Sequence, residues 1–374
     1  ALPRPEAMAG ETYTAPRNPV EKELAAIWTD ILHLDEHTAG IDQHFFDLGG
    51  HSLRATVMAS RVHKTFNIRV PLTEIFKHPT IRELARYIND QGAATGGYSD
   101  IRPVEKREYY PMSSAQRRVY FTQQMNPLST AYHMPQVIPL SYRADKDKIQ
   151  SILVRLIQRH EALRTSFFQL NGEPVQRIRD RVPFRLEVIR ADAKTYNYSR
   201  FIRPFQLHDA PLMRAGLITG SADADTLIVD IHHIVSDGTS QSVLVADFLD
   251  IASGRDPEPL AIQYKEYALW RQESQQDDAP ASCVNYWLDI YADAPALPRV
   301  DLPVDEPRPA VFTFNGDTAP FFVDNSVAQP FIETGKRANA TLFMSLLAAI
   351  DILLYRISGQ DDVIIGCGTA GRPH

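Results

Sequence analysis

The stretch Leu227-Ile228-Val229-Asp230-Ile231-His232-His233-Ile234-Val235-Ser236-Asp237-Gly238 runs an apolar, strand-like segment into two histidines and an acid-glycine turn. Successive side chains of an extended chain point to opposite faces, so His232 and His233 cannot share one cavity while the strand continues through them. One of the pair is therefore expected to be structural and the other chemical. Asp237-Gly238 then reads as a turn, after which Ser240 can cap a helix carrying Val243, Leu244, Phe248 and Ile251 at helical spacing.

A histidine beside a strand is more often a satisfied core or surface residue than a ligand or a base. What sets this string apart is the acid four residues beyond the second histidine, with glycine next to it. A metal site is the first rival, since imidazole and carboxylate are both ligands. Neighbouring histidines diverge on a strand, no second His/Cys cluster lies at ligand spacing and the helical HExxH pattern is absent, so no metal is expected.

At 374 residues the chain is long for one core, and 44% hydrophobic with 23% charged residues is the composition of an ordinary globular protein, so two or more domains are expected. A net charge of -7 supplies no basic field for nucleic acid and no polybasic patch for an anionic membrane, and neither partner is expected. The most apolar long segment, Leu342 to Tyr355, is interrupted by Ser345 and Asp351 and is too short to cross a bilayer. No signal-peptide pattern opens the sequence, and Cys283 and Cys367 stand far apart, which suits reduced thiols in a cytoplasmic protein.

Residues 1–17 carry prolines and no apolar period and read as a leader. Asn18-Pro19-Val20-Glu21 has a cap, a first-position proline and a capping-box acid, followed by the stripe Val20, Leu24, Ile27, Trp28 and Ile31. Thr80 and Glu83 repeat the box ahead of Ile81, Leu84, Ala85 and Ile88. Between them lies Phe45-Phe46-Asp47-Leu48-Gly49-Gly50-His51-Ser52-Leu53, then a helical run to about Lys64. Two glycines allow close approach by another surface, and Ser52 stands at a helix start, where free amides favour an anion such as a phosphate ester. A plain N-cap is the simpler reading of Ser52, while a hydrolase elbow is excluded because Arg54 occupies the glycine position of GxSxG. Farther on, Thr165 to Leu170, Val175 to Ile178, Leu186 to Ile189 and Met213 to Thr219 read as strands after a helix facing with Ile149, Ile152, Leu153 and Leu156. Thr341 can cap an apolar helix through Leu354, and Asp361 to Gly366 reads as a buried strand.

The string His232 to Gly238 resembles the HHxxxDG signature of nonribosomal peptide synthetase condensation domains, and through it the HxxxD core of chloramphenicol acetyltransferase-like acyltransferases. Ser113 to Arg118, Arg159 to Phe167, Tyr264 to Trp270 and Gly368 to Pro373 are similar to the first, second, fourth and fifth condensation motifs, and Asp47 to Leu53 to the attachment motif of peptidyl carrier proteins. The resemblance implies a multidomain chain: a small all-α helical bundle as the carrier (18–91), a linker (92–106), then α/β chloramphenicol-acetyltransferase-like lobes, the first over 107–277 and the second begun but incomplete over 278–374. It implies a 4′-phosphopantetheine arm on Ser52, installed by a phosphopantetheinyl transferase, and His233 as general base or hydrogen-bonding group in peptide-bond formation. His232, Asp237 and Gly238 complete that site, with Arg372, or failing it Arg164, as the partner of Asp237. An upstream adenylation domain, a downstream peptidyl carrier domain and aminoacyl or peptidyl thioesters are the implied partners. Epimerization domains, which use a related motif, typically lack the glycine and carry a Ser-Trp pair just beyond the motif, whereas Asp237 is followed here by Gly238-Thr239-Ser240-Gln241; cyclization domains replace the histidines by aspartate. A non-catalytic donor-carrier and docking fragment is the alternative of another class.

Overall fold

The computed structural model describes the chain except residues 1–12, 33, 35–38, 51, 69, 92–100, 221–223, 277–280, 293–297, 299, 308, 310–315, 339 and 369–374. Most of the leader, most of the linker and Arg372 therefore lie outside the described residues. Two compact units divide the chain, one made of residues 1–99 with 293–374 and the other of 100–292.

In the first unit α1 (Pro19–Leu32), α2 (Ser52–Phe66), α3 (Leu72–Lys77) and α4 (Ile81–Gln91) form a helical bundle. Asn18 Oδ1 accepts from the Glu21 amide at 2.9 Å, the cap that the sequence predicts. The box is not closed in the expected way: the Glu21 carboxylate takes the Arg17 amide and guanidinium, each at 2.7 Å. The predicted stripe is the core, with Leu24, Trp28, Ile81 and Leu84 fully buried against Phe45, Met58 and Ile75. Each such side chain contributes about 1.5–3 kcal/mol by leaving water. Phe45 donates its amide to the Pro79 carbonyl at 2.8 Å and packs edge-on to Trp28, which pins the loop before the glycines to the start of α4.

The second unit is α/β. It contains β1 (Tyr110–Pro111), α5 (Ser114–Met125), β2 (His133–Pro139), α6 (Lys146–Arg159), β3 (Thr165–Leu170), β4 (Glu173–Ile178), β5 (Glu187–Ile189), β6 (Met213–Ile218), β7 (Thr226–His232), α7 (Gly238–Ala252), α8 (Tyr264–Gln276) and α9 (Ala281–Ile290). A three-stranded antiparallel sheet has the order β1-β4-β3, and a four-stranded sheet the order β2-β7-β6-β5, antiparallel except for β5 beside β6. Period-two alternation splits β7: Leu227 and Ile231 pack with Ile149, Leu153 and Leu156 of α6 and Ile251 of α7, while Ile228 packs with Phe201 on the opposite face. Asp230 and His232 share the face of Ile228.

Helices α10 (Asn325–Arg337) and α11 (Leu342–Ser358) follow in the first unit. Thr341 caps α11 as predicted, accepting from the Met344 amide at 3.2 Å, and Gly359 ends it at φ 70°. The buried strand expected over 361–366 does not form: these residues are irregular and mostly exposed. No strand among the described residues pairs with them, and an extended segment without a ladder partner leaves its backbone groups to water. Among the described residues no single helix is long and apolar enough to cross a membrane; α10 and α11 pass that test only together, across a bend of 109°.

Candidate functional site: a histidine pair and a helix start

The two histidines part as strand alternation requires. His232, the last residue of β7, is fully buried, whereas His233, just beyond it, is exposed. The His232 Nδ1 accepts from the Ile234 amide at 3.1 Å, so the proton of the neutral ring sits on Nε2. Burial, aided by His133 and His233 nearby, pushes the His232 imidazole down from 6.5 to about 3, and the ring is neutral at physiological pH.

His233 is held from both ends. Its amide donates to the Tyr132 carbonyl at 2.8 Å, and its Nδ1 donates to the Ser236 carbonyl at 2.9 Å. A carbonyl oxygen can only accept, so Nδ1 carries the proton and the lone pair of the neutral ring is on the exposed ring's Nε2. That is the geometry of a general base.

Asp237, not Ser240, caps the helix that follows. Its Oδ1 accepts from the Ser240 amide and hydroxyl, both at 2.7 Å, and α7 begins at Gly238. An aspartate accepts two donors at once, and it stands at the position whose side chain reaches the third amide, which is why it takes the cap from the serine. Gly238 has no positive φ, and a Cβ placed on it would meet nothing within 4 Å. Arg164, the second candidate partner of Asp237, reaches the Arg179 carbonyl at 2.5 Å and Glu161 at 3.7 Å.

The other sequence motifs of this unit meet one another. Ser113 closes a capping box with Gln116 at the start of α5, and its hydroxyl lies 2.9 Å from the Tyr264 hydroxyl of α8. Arg159 and His160, at the end of α6, converge on Asp247 of α7 at 2.8 and 2.7 Å. Burial pushes the His160 imidazole below its ordinary value against the pull of Asp247. Lys265 pairs with Glu161. These motifs thus tie α5, α6, α7 and α8 around the sheet, a role their letters do not reveal. A concavity of about 410 Å³ is lined by Tyr109, Ser114, Arg117 and Arg271, among others, but by neither histidine.

Sequence reasoning passed over the residues behind His232. Asp230, fully buried two positions before it, accepts from His133 Nδ1 at 2.8 Å and from Arg214 Nη1 at 3.3 Å. An acid inside an otherwise apolar strand was the available signal. Among the described residues no group of three or more His, Cys, Asp or Glu could hold a metal.

In the bundle, Ser52 is the first residue of α2, whose free amides make the helix start suited to an anion. Gly49, at φ 93°, occupies a conformation that side chains disfavour, and a Cβ on Gly50 would run into the Phe45 ring. Arg54 Nη1 donates to the Gly49 carbonyl at 2.9 Å and braces the turn. A phosphate ester linked at the Ser52 position fits these surroundings.

These two sites, a braced helix start and an exposed imidazole at a strand end, are those of a carrier domain followed by an acyl-transfer domain of the chloramphenicol acetyltransferase type. Residues 22–88 match the family model for the phosphopantetheine attachment site and residues 106–374 that for the condensation domain. The chain belongs to the condensation-domain family of nonribosomal peptide synthetases and carries a phosphopantetheine carrier domain ahead of it. Bacitracin synthase 3 of Bacillus licheniformis is 40% identical over 378 residues, a match covering all of this chain and 6% of the relative. Tyrocidine synthase 3 of Brevibacillus parabrevis is 38% identical over 377 residues, again covering all of this chain and 6% of the relative. The chain thus spans a small part of the length of these curated relatives. A holo four-domain nonribosomal peptide synthetase bound to AMP and glycine superposes with a TM-score of 0.58 at 26% identity, covering 68% of this chain and 20% of that one. The X-domain of teicoplanin biosynthesis, solved with OxyB, superposes with a TM-score of 0.63 at 25% identity, over 71% of this chain and 61% of that one. The cofactor of the carrier domain is covalent 4′-phosphopantetheine.

Proposed function

We propose that this chain is a donor-carrier and condensation unit in which Ser52 bears the arm and His233 serves the reacting amine. The carrier comprises 18–91, the linker 92–106, the first lobe of the condensation domain 107–277, and the second begins at 278. When bound, the arm supplies a flexible thiol that presents an acyl group as a reactive thioester. With the arm loaded, the amine of an aminoacyl group on a downstream peptidyl carrier domain would attack the thioester carbonyl, forming the C–N bond and breaking the C–S bond. His233 Nε2 would take a proton from that amine and return it to the departing sulfur, so that charge balances over the step. Amine and thioester are already reactive, and holding them together accounts for much of the acceleration. His232 holds the loop as a neutral buried anchor, Asp237 caps α7, and Gly238 leaves room for the reacting groups.

The carrying observation is the Nδ1 bond of His233 to the Ser236 carbonyl, which leaves the exposed imidazole with a free Nε2. A phosphopantetheinyl transferase, an upstream adenylation domain and aminoacyl or peptidyl thioesters are the partners this reading requires, in the cytoplasm where coenzyme A is at hand. The test is transfer from the loaded Ser52 arm to an aminoacylated downstream carrier, in the synthetase carrying these residues. His233→Ala should lower the rate by about 10²–10⁴-fold, the usual worth of general acid-base catalysis. Wild-type transfer in that variant rejects the role of His233.

A further inference from the structure

The face of the sheet that bears His232 carries a buried charged row. Arg214 on β6 and Asp230 on β7 are register partners, as are His232 on β7 and His133 on β2, and partners in a ladder point to the same side. Asp230 and His133 are 0% and 1% exposed at their side chains, and their bond of 2.8 Å runs diagonally across the strand pair. Phe205 stacks on the His133 ring at 4.9 Å and takes the Arg214 guanidinium on its face at 3.8 Å, which closes the row from solvent. A carboxylate buried in this way is costly unless it is paired, and an apolar pair would pack as well, so retaining it asks for a use.

That use follows from what stands beside it on β2. Tyr132, the residue before His133, gives its carbonyl to the amide of His233. The start of β2 thus fixes the backbone of the imidazole to which the reaction is assigned, and His133, the first residue of the strand, ties that start to β7 by its side-chain bond to Asp230. We infer that Asp230 and His133 form a positioning pair: their buried bond locks the start of β2 against β7, and through the Tyr132 carbonyl it sets the place and tautomer of His233. This rests on the reading of His233 as the reacting group. Arg214 also pairs with Asp230, and His133 donates to the same carboxylate from Nδ1.

The test compares two replacements of His133. In His133→Asn the side-chain amide nitrogen sits near the place of Nδ1 and can still donate to Asp230, whereas His133→Leu fills similar space with no donor. The first readout is the ¹⁵N–¹H spectrum of the histidine rings in the whole chain. His233 should hold its proton on Nδ1 in the wild type and in His133→Asn, and lose that preference in His133→Leu. The second is transfer: His133→Leu should lower kcat by about tenfold to a hundredfold, the scale of a small misplacement of a reacting group, with His133→Asn close to wild type. KM for the two carrier partners should stay within about twofold in both, since the contact is to the base and not to the carriers. A lower melting temperature in His133→Leu with the wild-type His233 tautomer and wild-type kcat per folded molecule would overturn the inference. Should His133→Leu fail to fold, Asp230→Ala, which removes the acceptor of the His133 Nδ1 bond, decides by the same spectrum: retention of the Nδ1 proton on His233 overturns the pair and its loss supports it. If instead His233→Ala transfers normally, the assignment of His233 falls while the tautomer result still stands or fails by itself.

Discussion

The helical bundle and the sheet unit each hold one of the two proposed reactive positions, Ser52 and His233, yet their interiors are opposite in kind. Among the described buried residues of the bundle, Glu21 is the one charged or polar side chain, set in a core of Leu24, Trp28, Phe45 and their neighbours. The sheet unit buries Asp230, His232, Gln116, Gln176, Asp247 and Glu266 among others. The difference follows from what each site does with charge. A serine that another enzyme modifies needs only to be presented at a helix start, and an apolar core holds that start in place. An imidazole proposed to move a proton needs its tautomer and surroundings fixed, and directional hydrogen bonds, such as that from His233 Nδ1 to the Ser236 carbonyl, can do that.

The sharpest way to break the comparison is to remove each reactive group. Ser52→Ala should abolish the mass gain on incubation with coenzyme A and a phosphopantetheinyl transferase, and with it all transfer. His233→Ala should keep the full mass gain and lose transfer by the factor given above. An undiminished mass gain in Ser52→Ala would move the attachment site elsewhere.

Acid should separate the two regions next. The folded His232 is depressed to about 3 from 6.5, so between these values the unfolded chain binds a proton that the folded one refuses. Stability from this group is complete above pH 6.5 and drains away as the pH falls toward 3, by at most about 1.4 kcal/mol per pH unit. Denaturant melts of the sheet unit from pH 7 to 4 should show that slope, and His232→Gln should flatten it. Parallel slopes in the two proteins would mean that His232 is solvated in the fold.

Packing is the bundle's own weak point. Gly50→Ala places a methyl group against the Phe45 ring and backbone, and overpacking of this kind costs about 1–3 kcal/mol. Amide signals of the bundle should melt earlier while those of the sheet unit are unmoved; an unchanged bundle would show that the loop simply shifts. The smallest effect is expected at the cap of α7. Asp237→Ala removes the acceptor of the Ser240 amide and should cost about 0.5–2 kcal/mol, with Asp237→Asn recovering most of it. A loss of that size in Ser240→Gly but not in Asp237→Ala would return the cap to Ser240.

Much of this architecture is legible in the sequence because it depends on local periodicity. The stripe of α1, the caps at Asn18, Thr80 and Thr341, strand β3 and the parting of His232 from His233 all follow from spacings of two or of three and four residues. The Gly49-Gly50 turn ahead of Ser52 is legible for the same reason, since backbone freedom is a property of the residue itself. What the sequence does not carry is whatever requires a partner from far along the chain. The strand expected over 361–366 fails for want of a neighbour, and the convergence of Arg159 and His160 on Asp247 joins residues nearly ninety positions apart. Asp230 reads only as an odd acid in a strand until the β2–β7 register sets His133 within 2.8 Å of it. The sequence by itself determined which side chains could be reactive, because reactivity begins with residue type and local backbone. Which of them are held, neutral and aimed was decided by the tertiary structure, because a buried hydrogen bond exists only when both of its ends have been brought to the same place.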